Sequence, residues 1–334
     1  MALRGTGETT MRLALISTFV GCMTALATLP ASPQSADNFP SRPVRLIVPF
    51  PAGGPTDMAA RLYADVMSRD LGQPIVVENR AGGNSVIGAQ QVARAPSDGY
   101  TIMFAMDTTL VLNPLTMNNL PYNPMEDFTL LSTAVFNTTL FLVREDGPKT
   151  FEELIAFGKK KPGGLTYGAG LINAQVAGLL FNKSAGIEGT FVPYKGSSEV
   201  SQALLNGSLD YSINAVGNEY PMIAAGKVRA LAKLNNRPLP ILPELKLLWH
   251  AANLPDYGEI STWSGFVTPR GVPDAILNRL QVSIEKAALD PSLKQKLGQF
   301  GIIAASSTTK EFEEFIVAET AKWRRFFNEN NLKF

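Results

Sequence analysis

One cysteine, Cys22, and one histidine, His250, stand in a chain of 334 residues. A single thiol forms no intrachain disulfide. A single imidazole, in Trp249-His250-Ala251 with no second ligand type clustered near it, makes no zinc site. Charge is also scarce: charged residues make up 18%, with 30 basic against 29 acidic and a formal net charge of +1. No basic field is present to hold nucleic acid, and no polybasic run marks a membrane surface. No GxSxG elbow partners the histidine, and no Lys-Ser/Thr pair follows the glycines near residue 53. These absences argue against an α/β-hydrolase triad and a nucleotide P-loop. Ser307-Thr308-Thr309-Lys310 fits a loose S-x-x-K pattern but falls where a helix begins, so it reads as a cap. Neither a metal nor a cofactor is expected. With 45% apolar residues the chain is long enough and apolar enough for two packed domains.

The longest apolar stretch lies at the N-terminus. Met11-Arg12 precedes Leu13 to Leu29, interrupted by Gly21 and ended by Pro30, with small and polar residues through Ala36. This is the pattern of a cleaved export signal, residues 1–36, rather than of a spanning helix. Translation starting at Met11 would remove nothing typical of a signal. Phe19-Val20-Gly21-Cys22 loosely resembles a lipoprotein cleavage site, but Phe19 is bulkier than usual there and apolar sequence continues past Cys22. A cysteine discarded with the signal is the favoured reading, and lipid anchoring through Cys22 the lesser one. The mature protein is expected outside the cytoplasm.

From Val44 the chain alternates strand and helix. Val44–Phe50 reads as a strand. Gly54 caps the next helix and Pro55 takes its first position, where a missing N–H costs nothing. Ala59, Leu62, Tyr63 and Val66 recur at helical spacing before Gly72 and Pro74 end that helix. Ile75–Glu78 is a second strand. The glycine loop 80–85 then leads into a helix with Ile87 and Val92 inward, and Tyr100–Met106 is a third strand. Such alternation predicts parallel sheets covered on both faces. The same style continues through 151–232, with only a short helical turn over Met222–Ala225. A proline-rich connection with one embedded helix spans 237–255, and two long helices close the chain. The last starts at a Thr308/Glu311 capping box, and Phe312, Phe315, Ile316, Trp323 and Phe327 form its core stripe. Two α/β domains follow, with crossovers near 138–144 and 258–266: residues 37–139 with 264–334, and residues 140–263. The space between two such domains is a usual ligand site.

Three loops carry candidate chemistry. In Pro51-Ala52-Gly53-Gly54-Pro55-Thr56-Asp57 the glycines let backbone N–H groups approach an anion at a helix start. Together with the export signal, this loop suggests a secreted protein that captures an organic anion. Thr56 and Asp57 orient water or donors there, or Asp57 only complements its own helix dipole; the residues leave both readings open. Arg80 beside Gly82-Gly83 adds charge to an anion site or is a surface arginine. Lys195, Gly196 and Ser198 form an anion site, or Ser198 is only a cap.

The chain resembles the extracytoplasmic solute receptors of tripartite tricarboxylate transporters, the Bug-type receptors. The resemblance runs from about Phe39 to Asn331. It rests on PFPAGGPTD at 49–57, VVENRAGG at 76–83, ARAPSDGYT at 93–101, LPYNP at 120–124, VPYKGSSE at 192–199, AGKVRALA at 225–232 and Trp263-Ser264-Gly265. It implies a type II periplasmic binding-protein fold, two doubly wound α/β domains around a ligand cleft. It also implies a receptor, not an enzyme, that takes a small organic carboxylate and delivers it to membrane transporter subunits; a monomer is expected. A sensor co-receptor of a signalling kinase is the alternative, and an exported α/β hydrolase a further one. By the resemblance, Phe50, Gly53, Gly54, Thr56 and Asp57 hold a ligand carboxylate, partly through ordered waters. The opposite domain contributes Gly170, Leu171 and Asn173 after Tyr167, and Asn214. Many relatives carry aspartate where Asn214 aligns, so a neutral side chain there disfavours an amino-acid ligand. Leu171 and Ile172, in a loop short of serine and threonine, favour an apolar or aromatic body or a dicarboxylate over hydroxyl-rich citrate.

Overall fold

The computed structural model describes residues 38–254 and 259–329; the signal segment and Cys22 lie outside them. The first half of the chain builds β1 (Val44–Val48), α1 (Pro55–Leu71), β2 (Ile75–Asn79), α2 (Val86–Ala93) and β3 (Thr101–Met106). A π-helical turn (Thr108–Leu112), the short helices α3 (Asn113–Thr116) and α4 (Pro124–Asp127), and β4 (Phe128–Asn137) follow. The middle runs β5 (Thr139–Arg144), α5 (Phe151–Lys160), β6 (Leu165–Ala169), α6 (Ile172–Ala185), β7 (Gly189–Pro193), α7 (Ser197–Leu205), β8 (Tyr211–Ala215), α8 (Val216–Ala224) and β9 (Val228–Lys233). After α9 (Leu248–Ala251) come β10 (Thr262–Pro269), α10 (Asp274–Leu289), α11 (Pro291–Gly298), β11 (Ile302–Ala304) and α12 (Thr309–Glu329).

The strands form two sheets, ordered β2-β1-β3-β10-β4-β11 and β7-β6-β8-β5-β9. The expectation of parallel sheets needs correcting, because both are mixed. β1 pairs parallel with β2 and β3, but β10 is antiparallel to both β3 and β4. In the second sheet β6 is parallel to β7 and β8, while β5 is antiparallel to β8 and β9. The reason lies in the crossings. β4 runs the same way as β1 and β3, leaves at their carboxyl edge, and enters the second sheet as β5 after Thr138 alone. A strand that arrives from the other sheet must run against its parallel neighbours, and β10 on its return does the same. The carboxyl edges of both sets of parallel strands therefore lie on the side where the chain crosses. In open α/β sheets that edge is where ligands sit.

Local sequence explains the elements around that edge. β1 is buried along nearly its whole length, as suits a central parallel strand. α1 starts at Gly54 and Pro55 and stops at Gly72, whose φ of 71° supplies the left-handed cap. Its Tyr63 is fully buried and donates to the Ala134 carbonyl at 2.6 Å. The Thr308/Glu311 box forms as the spacing predicts, and Phe312, Ile316, Trp323 and Phe327 of α12 are buried. One continuous apolar cluster includes residues of both sheets, from Met103 and Trp263 to Phe141 and Tyr211. Two local expectations fail. Ile87 is 56% exposed, because α2 buries Gly88, Ala89 and Val92 instead. The turn expected at Met222–Ala225 is the end of a longer helix, α8, that accommodates Pro221.

Gly265 in β10 has no room for a side chain: a methyl group would overlap the Phe312 ring and the Ser132 carbonyl. Gly265→Ala is expected to cost about 1–3 kcal/mol, the usual range for overpacking a filled core. Equilibrium urea unfolding measures it, and an unchanged midpoint would show that α12 gives way freely.

Candidate functional site

Loops after β1, β2, β6 and β7 meet at the carboxyl edges and enclose two adjoining cavities. The smaller, about 200 Å³, is lined by Phe50–Ala52, Gly54–Thr56, Leu171 and Gly196–Glu199. The larger, about 710 Å³, shares Phe50, Pro51 and Glu199 with it and adds Gly170, the 81–85 loop and Pro193–Lys195.

The smaller cavity is walled by the starts of three helices, α1, α6 and α7. Their N-cap residues are Gly54, Leu171 and Gly196, and none has a side-chain capping bond. The first N–H groups of a helix have no partner within it. Each helix start also carries about half a positive charge from the aligned peptide dipoles. Between these ends the wall is apolar: Phe50, Pro51, Ala52, Pro55 and Leu171. The arrangement suits an anionic head on an apolar body.

The β1–α1 turn is held rigidly from behind. Gly53 adopts φ of 81° and its N–H donates to Asp57 Oδ2 at 2.9 Å. Arg61 Nε donates to the same oxygen at 2.9 Å, and Asn79 Nδ2 donates to Asp57 Oδ1 at 2.9 Å. Asn79 Nδ2 also reaches the Phe50 carbonyl at 3.1 Å, and Arg61 Nη2 donates to Asn79 Oδ1 at 3.0 Å. Burial alone would raise the Asp57 carboxyl. The hydrogen bonds from Arg61, the Gly53 N–H and Asn79 outweigh it and hold the carboxyl below its ordinary value.

Of the residues singled out from the sequence, Phe50, Gly54, Thr56 and Leu171 line the smaller cavity, and Gly170 and Phe50 the larger. Thr56 Oγ1 donates to the Met106 sulfur at 3.1 Å. Gly53 shapes the turn without lining either space. Asp57, Asn173 and Asn214 are buried in internal hydrogen bonds outside both linings. Asn173 Nδ2 donates to Asp107 Oδ2 at 3.0 Å, and its Oδ1 accepts from the Ala174 N–H at 2.8 Å. Asn214 Nδ2 lies 2.9 Å from the Ser197 carbonyl and 2.6 Å from Glu219 Oε1. The segment 193–199 lines both cavities, with Gly196 rather than Ser198 as the cap. Arg80 turns to Glu78 at 3.1 Å and lines neither. His250 sits exposed on α9, also away from both. Among the described residues no group of three His, Cys, Asp or Glu side chains is placed to hold a metal ion.

Two buried acids were missed. Glu219 accepts from Ser201 Oγ at 2.5 Å and from Asn214, and burial pushes its carboxyl up. Asp107 is fully buried at the end of β3 and accepts from the Thr108 N–H at 2.6 Å. Burial pushes its carboxyl up to about 7 against the pull of Thr108, and nearby Glu319 adds to the rise. The one acid in the run Phe104-Ala105-Met106-Asp107-Thr108-Thr109-Leu110 was the available signal.

Two predictions follow from these contacts. Asp57→Ala releases the Gly53 turn, so thermal stability and carboxylate affinity should fall together, stability by about 1–3 kcal/mol for the lost buried bonds. Full affinity in the destabilised variant would separate the turn from binding. For Asp107, the folded value lies above the unfolded one of about 3.9. The folded state then holds a proton that the unfolded state releases, and this group's contribution is full at low pH and lost as pH rises through about 7. Thermal midpoints from pH 4 to 8 should fall more steeply for the wild type than for Asp107→Asn. Parallel curves would refute this.

A family profile described as "Tripartite tricarboxylate transporter family receptor" matches residues 59–332. The chain is 35% identical over 315 residues to a protein of the tcbD-tcbE intergenic region of Pseudomonas sp. (strain P51), covering 93% of each. It is 30% identical over 331 residues to BugT of Bordetella pertussis, covering 97% of this chain and 99% of that one. Among solved structures, Rpa4515 of R. palustris with adipate superposes with a TM-score of 0.82 at 31% identity, covering 87% of this chain and 97% of that one. MatC of Rhodopseudomonas palustris with bound malate gives 0.79 at 28% identity, covering 86% and 99%. The strand orders and these likenesses together give the fold of periplasmic binding proteins, and the chain belongs to the solute-binding receptors of the tripartite tricarboxylate transporter family.

Proposed function

We propose that this protein captures a small organic carboxylate at the carboxyl edges of its two sheets and passes it to membrane transporter subunits. The observation that carries the reading is the convergence of three uncapped helix starts on one apolar-walled cavity. The ligand carboxylate occupies the space before those N–H groups, and its body packs on Phe50, Pro51 and Leu171. Residues 37–139 with 264–334 act as one lobe and 140–263 as the other, closing over the ligand as a monomer. Closure is driven by the ligand's higher affinity for the closed form. The receptor works in the periplasm after removal of residues 1–36; among the described residues no helix is long and apolar enough to cross a membrane. It binds without transforming its ligand. His250 lies outside both cavities, so the histidine-dependent hydrolase reading finds no support there. Relatives bound to adipate and to malate support a carboxylate, and the apolar wall supports a ligand with few hydroxyls.

A thermal-shift screen of residues 36–334 tests this. A ligand at 100 times its Kd stabilises the native state by about 2.7 kcal/mol. Aliphatic or aromatic acids should raise the midpoint more than citrate. Citrate as the strongest ligand would overturn the apolar-body reading, and no response to any carboxylate would overturn the receptor reading for this class.

A further inference from the structure

Asp107 follows β3 as a fully buried acid and lines neither cavity. Its Oδ1 accepts from the Thr108 N–H at 2.6 Å and from Thr108 Oγ1 at 3.3 Å. Its Oδ2 accepts from Asn173 Nδ2 at 3.0 Å. That last bond crosses from the first sheet's side to the second's, ending on a buried side chain in the first turn of α6. Asn173 Oδ1 in turn takes the Ala174 N–H at 2.8 Å, one of the first donors of that helix. Leu171, the N-cap of the same helix, lines the smaller cavity. Two anions therefore draw on one helix start, the ligand from the cavity and Asp107 from behind.

Little around Asp107 offsets its charge. β3, the π-helical turn and α3 contain no charged residue, and α6 has none before Lys183. α4, packed on the π-helical turn, carries the exposed Glu126 and Asp127, whose Oδ2 accepts from the Asn123 N–H at 2.7 Å. α12 brings another acid, Glu319, near enough to oppose ionisation of Asp107. Glu319 Oε1 accepts from Lys322 Nζ at 3.0 Å, and its Oε2 is buried without a partner. A further negative charge brought close disfavours ionisation again. Burial already sets the Asp107 carboxyl at about 7, so a rise on binding falls where the group changes state near neutral pH. Resting on the carboxylate reading above, we infer that capture of the ligand anion is proton-linked: the bound carboxylate displaces the charge of Asp107 from the start of α6, and Asp107 takes up one proton from the solvent. No other bond changes. Asp107 is thus a positioning residue, acting on the ligand through Asn173 and the helix. Affinity is full where Asp107 is protonated and falls as pH rises through the range in which it ionises.

Calorimetric titration of the mature chain with adipate, hexanoate and benzoate, whose own carboxyls are ionised above about pH 6.5, tests this. At pH 7.5 the heat should differ between phosphate and Tris buffers and report about half a proton taken up per ligand bound. Affinity should fall about fivefold from pH 6.5 to 8.5, as follows from raising one carboxyl near 7 by about one pH unit. Asp107→Asn keeps the shape and removes the titration, so its heat should not depend on the buffer and its affinity should be flat over that range. Glu319→Gln leaves Asp107 in place and should move the fall in affinity to lower pH; it carries the test where Asp107→Asn fails to fold or to bind. Buffer-independent heat with a flat affinity in the wild type, or an unmoved profile in Glu319→Gln, would overturn the proton linkage while leaving the carboxylate reading in place. The wild-type slope persisting in Asp107→Asn would assign it to another acid, Glu219 foremost, and overturn the role of Asp107. No binding of any of the three acids would overturn both readings.

Discussion

Backbone N–H groups at a helix start are donors that cannot be buried idle. An unpaired buried polar group costs about 1–3 kcal/mol. Here three helix starts, at Gly54, Leu171 and Gly196, open on one apolar-walled cavity, and none of these N-cap residues makes a side-chain capping bond. Shutting that space without a ligand would desolvate several donors at once. An anion supplies the acceptors and meets the positive ends of three dipoles. Under the proposed function, ligand-dependent closure would follow from leaving the N-caps without side-chain bonds.

The chain's path puts those starts together. β4 leaves the first sheet at its carboxyl edge, and β10 returns there, so each sheet takes its visiting strand antiparallel. Both sets of β-to-helix loops then face the same side. Precision comes from a second layer of residues that line neither cavity. Asp57, Arg61 and Asn79 tie the Gly53 turn to the Phe50 carbonyl through hydrogen bonds of 2.9–3.1 Å. Asp57, read from the sequence as a ligand contact or a dipole partner, is the residue that holds the donors still.

Legibility followed the range of the interactions. The β1–α1 loop could be read because glycine, glycine and proline are punctuation with local causes, and the α12 stripe because its period is local. The direction of β5 and β10 depends on which edge the chain crosses, which no window of sequence contains. Ile87 was placed inward by period, but Gly88 lets α2 approach Pro49 more closely than any side chain would. Asn173 and Asn214 have the right residue type near the site. What decides their geometry is a pair of acids, Asp107 and Glu219, 66 and 5 residues away, that take their amide hydrogens.

Those two acids bear on the field at the site. Asp107 reaches the first turn of α6 through Asn173, and Glu219 reaches the first turns of α7 through Ser201 and Asn214. Ionised, each would spend the positive end of a helix on an internal charge and leave less of it for a ligand. Burial opposes that, raising the Asp107 carboxyl to about 7 and moving Glu219 in the same direction. A neutral acid still accepts hydrogen bonds and fixes the asparagines, but it does not compete for the dipole. Burial favours the neutral form of both acids, and to that extent the groups that do the positioning leave the helix dipoles to a ligand.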